Sequence, residues 1–87
     1  MISRKEIEKK VKEVLINEFE LDEAALTSEA NLYTDLELDS LDSVNLVAAL
    51  EKAFSFKFSR EKDEEKVRAI RTVSDIYDFI DSKQREG

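Results

Sequence analysis

Apolar residues recur with a helical period at both ends of the chain and lose that period in between. Ile7, Val11, Val14, Leu15 and Phe19 fall at i, i+4, i+7, i+8 and i+12, behind a Ser3-Arg4-Lys5-Glu6 segment of the S-x-x-E capping-box form. The spacing predicts a first helix from Arg4 to Phe19. At the other end Val73, Ile76, Tyr77 and Ile80 run i, i+3, i+4, i+7 behind Thr72-Val73-Ser74-Asp75, again T-x-x-D, and predict a last helix to about Ser82. The tail from Lys83 to Gly87 is expected to fray.

Between these helices, Leu21, Leu26, Leu32, Leu36 and Leu38 keep neither a strand nor a helix period and are interleaved with Asp, Asn, Ser and Thr. Glu20 to Asp39 therefore reads as a long loop pinned to the core by its leucines. Unstructured loops of that length are uncommon inside a small domain and tend to be functional, so a short helical turn within it is expected. A second helix should start at Asp39 or Ser40 and run to about Phe54, with Leu41, Val44, Val47, Ala48, Leu50 and Phe54 inward and Asp42, Asn45, Ala49 and Lys52 on the opposite arc. Phe54-Ser55-Phe56-Lys57-Phe58 alternates like a strand but has no partner strand, and reads as an extended connector whose phenylalanines cover the bundle. Arg60 to Arg71 offers only Val67, Ala69 and Ile70 to a core, which predicts a short, loosely held third helix. The expected architecture is all-α: a small four-helix bundle, three major helices plus a short third one, with one long loop between helices one and two. It forms a single domain over residues 1–87.

Composition narrows the chemistry. The chain has no cysteine and no histidine, which removes disulfides, thiolate chemistry, the commonest general base and the commonest metal ligand. With no proline, and glycine only at Gly87, helix ends should rely on asparagine and side-chain caps. No segment has the layout of a signal peptide or a membrane span, so a cytoplasmic, monomeric protein is expected. The net charge is -7, but it is unevenly placed. Eleven acids and no base lie between Lys12 and Lys52, whereas the remaining ten acids are outnumbered by all fourteen bases. Such a field disfavours nucleic acid and anionic lipid and favours partners with basic surfaces.

The densest acidic stretch contains Asp35-Leu36-Glu37-Leu38-Asp39-Ser40-Leu41-Asp42-Ser43-Val44, continuing Asn45-Leu46-Val47-Ala48-Ala49-Leu50-Glu51. It resembles the D-L-x-x-D-S-L-D-x-V signature of acyl carrier proteins, and the order of helices and loop extends that resemblance over nearly the whole chain. A bare D-S-L is common by chance; the longer string at the start of a helix is specific. The resemblance implies a carrier that is not itself an enzyme. It implies 4'-phosphopantetheine on Ser40, transferred from coenzyme A by a phosphopantetheinyl transferase, and acyl groups carried as thioesters to loading and acyl-using enzymes of fatty acid, polyketide or specialised lipid synthesis.

The physical setting agrees. Asp39 as N-cap would accept from first-turn amides and leave Ser40 at the first helical position, against the positive end of the helix dipole. The arm would supply the thiol that the polypeptide lacks. Alone, an Asp-Ser pair before a helix is an ordinary cap; the surrounding string makes it a site. Ser43, one turn on and not preceded by Asp, is read as a packing residue. Asp35, Glu37, Asp42 and Glu51 are candidates for docking basic partners, with a hydrated face as the plainer reading. Val44, Val47, Leu50, Phe54, Phe58 and Ile70 are read as core residues that could also line a pocket for the acyl chain between the second and third helices, as the resemblance implies.

Four departures stand out. Glu37 occupies the place where the family usually has glycine, the glycine common after the first helix is absent, and Asn45, Lys52 and Ala53 dilute the acidic second helix. The segment from Phe58 to Thr72 is also about one helical turn longer than usual. These point to a specialised carrier with its own client enzymes. An aminoacyl or peptidyl carrier and an unmodified acidic adaptor remain alternatives. A calcium loop from Asp35 fails, since Ser40 and Leu46 stand where glycine and glutamate are needed. A serine hydrolase fails for want of histidine.

Overall fold

The computed structural model describes residues 2–57 and 60–86, and of residues 40, 60–62 and 86 only the backbone. Four helices follow in order, α1 (Arg4–Phe19), α2 (Ser40–Phe54), α3 (Arg60–Ala69) and α4 (Val73–Glu86), with a 3₁₀ turn at Glu23–Ala25 inside the long loop. Among the described residues the one extended pairing is an isolated antiparallel bridge between Asn31 and Thr72. The fold is the expected helical bundle.

α1 starts at its cap, where Ser3 Oγ accepts from the Glu6 N–H at 3.3 Å. Its Ile7, Val11 and Leu15 are fully buried, and Val14 and Phe19 flank them. Each such aliphatic burial contributes roughly 1.5–3 kcal/mol. The start of α1 lies against the ends of two other helices. Lys10 sits 5.6 Å over the Phe54 ring, the Ile2 N–H donates to Gln84 Oε1 at 2.7 Å, and Arg4 pairs with Asp78 at 2.9 Å. α2 and α4 therefore both run antiparallel to α1, and the end of α1 shares one pole of the molecule with the start of α2.

The loop is held largely as its leucines predict: Leu26, Leu32, Leu36 and Leu38 are buried, and Leu21 is half-buried. Its backbone is sewn to the start of α4, with Leu32 N–H donating to Arg71 O at 2.8 Å, Val73 N–H to Ala30 O at 3.1 Å and Ser74 N–H to Ser28 O at 3.0 Å. The T-x-x-D motif closes that helix start, since Thr72 Oγ1 accepts from Asp75 N at 3.2 Å and Asp75 Oδ2 accepts from Thr72 N at 3.0 Å. Beneath it Val73, Ile76, Tyr77, Phe79 and Ile80 form the largest buried face. Burial and the nearby Glu8 carboxylate push the Tyr77 phenol above its ordinary pKa of 10.0, partly offset by Arg4.

The structure corrects several expectations. In α2 the buried face is Leu46, Val47 and Leu50, with Ser43 and Phe54 at its edges, whereas Leu41 and Val44 are 72% and 66% exposed and Ala48 is exposed too. The helix carries two apolar stripes of equal period, and the loop contacts described below accompany the burial of one of them. α4 runs to Glu86, past the end expected near Ser82, with Gln84 bonded to both the N–H and the carbonyl of Ile2 and Lys83 paired with Asp63. α1 and α2 end on Glu20 (φ 53°) and Ser55 (φ 55°), left-handed positions that glycine fills more readily and that here fall to other residues. In α3, Val67 is only half-buried and Ala69 is exposed, while a carboxylate, Asp63, is fully buried.

Candidate functional site

The loop preceding α2 organises itself around Asn31. Asn31 Oδ1 accepts from the N–H groups of Tyr33 (2.9 Å) and Thr34 (3.1 Å), and Asp35 Oδ2 accepts from Asn31 N at 2.8 Å. This is the local turn chemistry for which Asn and Asp are suited. Asp35, a docking candidate, thus also closes its own loop, while remaining exposed. The chain then reaches Glu37 at φ 56°. Glycine would sit at that angle freely; a residue with a Cβ pays roughly 1–2 kcal/mol there.

α2 opens on a reciprocal cap. Asp39 Oδ1 accepts from Asp42 N at 2.9 Å, and Asp42 Oδ2 accepts from Asp39 N at 3.1 Å. Asp42 is therefore both a half-buried capping residue and a docking candidate. Ser40 is the first helical residue, directly behind the cap. Its sequence neighbours Asp39 and Leu41 are both exposed. One turn on, Ser43 Oγ and Tyr33 OH are 2.9 Å apart, and Arg71 stacks over the Tyr33 ring at 5.9 Å. That contact joins Ser43 to the loop, in keeping with the rotation of α2 that buries Leu46, Val47 and Leu50. Leu41 and Val44 consequently face outward on the same flank of the helix start, a surface feature that the inward reading of these two residues missed.

The remaining candidates divide. Val47, Leu50 and Ile70 are buried, Phe54 is half-buried, Val44 is exposed and stands apart from them, and Phe58 lies outside the described residues. Glu51 is half-buried, about 16 Å along α2 from Ser40 at 1.5 Å per residue. Around the helix start, Asp35, Glu37 and Asp39 are exposed carboxylates, and Glu18, Glu20, Asp22 and Glu23 stand exposed at the adjoining end of α1. Several acids crowd one pole, where the positive ends of the α2 and α4 dipoles also lie.

A surface-presented helix start behind a carboxylate cap, on a bundle with no thiol or imidazole of its own, defines a scaffold for tethering a group that brings its own chemistry. The phosphopantetheine attachment site family matches residues 9–80. An acyl carrier protein of Coprothermobacter proteolyticus is 37% identical over 81 residues, covering 93% of this chain and 94% of that protein. The chain belongs to the acyl carrier protein family. It is a carrier and not a catalyst, its prosthetic group is 4'-phosphopantetheine, and its partners are a phosphopantetheinyl transferase and acyl-handling enzymes. No described helix is long and apolar enough to cross a membrane.

Proposed function

We propose that Ser40 is the attachment residue and that the chain carries acyl groups as thioesters through the cytoplasm as a monomer. The observation that carries this reading is the place of Ser40 as the first residue of α2, immediately behind the Asp39–Asp42 cap, with exposed residues on both sides. In the transferase reaction Ser40 Oγ attacks the phosphorus of coenzyme A that bears the pantetheine. A phosphodiester forms at Ser40, the pyrophosphate bond breaks, and the adenosine bisphosphate leaves. The chain's own part is to hold the position outward and to place a helix start beside the new anion. Once attached, the arm supplies the thiol on which cargo is carried.

Asp35, Glu37, Asp39, Asp42 and Glu51 serve as the docking face for basic partners, with Leu41 and Val44 as its apolar contacts. Val47, Leu50, Phe54 and Ile70 border the interior that can take up cargo; of the other two residues read from the sequence, Val44 is exposed and Phe58 lies outside the described residues. The clients are enzymes of fatty acid, polyketide or specialised lipid synthesis, and the departures at Glu37, Asn45 and Lys52 favour a specialised set.

The test is intact mass after incubation with coenzyme A and a broad-specificity transferase. Wild type and Ser43→Ala should each gain one phosphopantetheinyl group and Ser40→Ala none; a gain on Ser40→Ala, or none on wild type, ends the assignment. Client preference is read by loading. A protein charged and elongated by general fatty acid synthesis enzymes as fast as their own carrier would not be a specialised one.

A further inference from the structure

Among the described residues Arg71 is a cation set beside acids that makes an ion pair with none of them. The sequence holds no base between Lys12 and Lys52, and the turn into α2 is edged by Asp35, Glu37, Asp39 and Asp42. Arg71 is joined to that turn through the backbone: its carbonyl accepts from Leu32 N–H at 2.8 Å, and the Leu32 carbonyl accepts from Leu38 N–H at 2.9 Å. Its own N–H donates to Asp75 Oδ2 at 2.8 Å. The exposed side chain lies over the Tyr33 ring, 5.9 Å from its centroid, and Nη1 donates to the carbonyls of Arg68 and Ile70. Arg68, by contrast, is paired with Glu64 at 2.9 Å.

We infer that Arg71 is a positioning residue for the arm, whose guanidinium holds the phosphodiester on Ser40; the inference rests on the carrier reading of Ser40. Placement is the first ground. Tyr33, beneath the guanidinium, meets Ser43 with OH and Oγ 2.9 Å apart, and positions 40 and 43, three apart on a helix, have Cβ atoms about 5–6 Å from each other. At about 100° per residue, position 40 falls between Ser43 and Val44, so the Tyr33–Arg71 stack borders the root of a group attached there. Charge is the second ground. A phosphodiester adds a negative charge to a turn that already holds the carboxylates of Asp35, Glu37, Asp39 and Asp42. The positive helix ends at this pole, each roughly half an elementary charge, offset that repulsion only in part. Arg71 brings a whole opposite charge. Its Nη1 is engaged with carbonyls, whereas Nε and Nη2 have no partner among the described residues, and the planar fork of a guanidinium matches two phosphate oxygens. Ring and carbonyls hold the side chain beforehand, which lowers the entropy lost on gripping the anion. With its phosphate drawn to the Tyr33 side, the arm leaves α2 away from Leu41 and Val44 and keeps that exposed apolar flank open to a partner.

The test compares urea unfolding of the full chain with and without its arm, in wild type, Arg71→Gln, Arg71→Lys and Arg85→Gln, the last removing a cation at the far end of α4 that pairs with Asp81. Comparing each variant with its own unmodified form cancels whatever Arg71 contributes to folding alone. Attachment of the arm should change the folded-to-unfolded ratio about threefold more favourably in wild type than in Arg71→Gln, the scale of an exposed ion pair. Arg71→Lys should keep part of that advantage and Arg85→Gln all of it. The phosphorus NMR resonance of the arm should move in Arg71→Gln and stay in place in Arg85→Gln. Equal effects of attachment in wild type and Arg71→Gln overturn the inference. So does a loss in Arg85→Gln as large as in Arg71→Gln, or a value for Arg71→Lys no better than that for Arg71→Gln, because the local charge is what the inference claims. If no arm can be installed on Ser40, the carrier reading falls and takes this inference with it; if the arm is installed and the advantage is missing, the carrier reading stands and the inference alone falls.

Discussion

Asp39 and Asp42 cap each other across the first turn of α2, each carboxylate accepting from the other's backbone N–H at 2.9 and 3.1 Å. Two like charges are held within one turn because each satisfies an amide that the helix start leaves open and both face the positive end of its dipole. The cap therefore fixes the backbone on both sides of Ser40.

Asp39→Ala should cost about 1 kcal/mol, within the usual range of roughly 0.5–2 for a lost N-cap. For a domain this small that is a fall in Tm of about 4–8 °C. Asp39→Asn keeps the acceptor and should melt within about 2 °C of wild type. Its rate of conversion by the transferase then isolates the role of the charge. A thermal melt and a conversion time course on the same two variants separate cap from docking.

The Tyr33–Ser43 contact should behave as one interaction. Tyr33→Phe and Ser43→Ala should each lose about 0.5–1.5 kcal/mol in urea unfolding, and the double variant should lose no more than the larger single loss plus a few tenths. Additive losses would show that the two side chains act separately.

At Glu37 the substitution runs the other way. Relief of the left-handed strain at φ 56° exceeds the added chain entropy of glycine, so Glu37→Gly should stabilise the protein by about 0.5–1 kcal/mol. Glu37→Ala keeps the Cβ and should bring no such gain. Urea midpoints at constant m-value are the measurement.

Tyr77 sets an alkaline limit. Its phenol titrates above 10.0 when folded, chiefly through burial, and near its ordinary value when unfolded. The folded state therefore holds the proton more tightly. The stability linked to this group is intact below pH 10 and is lost as pH rises from there through the folded pKa. Unfolding free energy measured across that window should fall more steeply for wild type than for Tyr77→Phe. Parallel curves would remove Tyr77 from the account.

Much of this was legible from periodicity and caps. The start of α1 at Ser3, the leucine-pinned loop and the T-x-x-D closure of α4 follow from local chemistry, and so does the position of Ser40 behind its cap. What was not legible depended on partners distant in sequence. Leu41 and Val44 read as inward beside Val47 and Leu50, whereas Leu46, which that reading left out, is buried and Tyr33 meets Ser43 between the two stripes. Asp63 sits in a run of charges and gives no local sign that Lys83, twenty residues on, will draw it into the interior. The extension of α4 past Ser82 goes with contacts to Ile2 and Asp63, both distant in sequence.

The charge separation between the two poles makes the molecule an electric compass needle. Glu18, Glu20, Asp35, Glu37 and Asp39 stand at one pole, whereas Lys5, Lys9, Lys52 and Lys57 stand at the other or along the flanks leading to it. A positively charged partner exerts a torque on such a body before contact and turns the start of α2 to the front. Added salt, by shortening the reach of the field to about 10 Å at 0.1 M, makes encounters random in orientation and slows capture, without altering what happens once the two are seated.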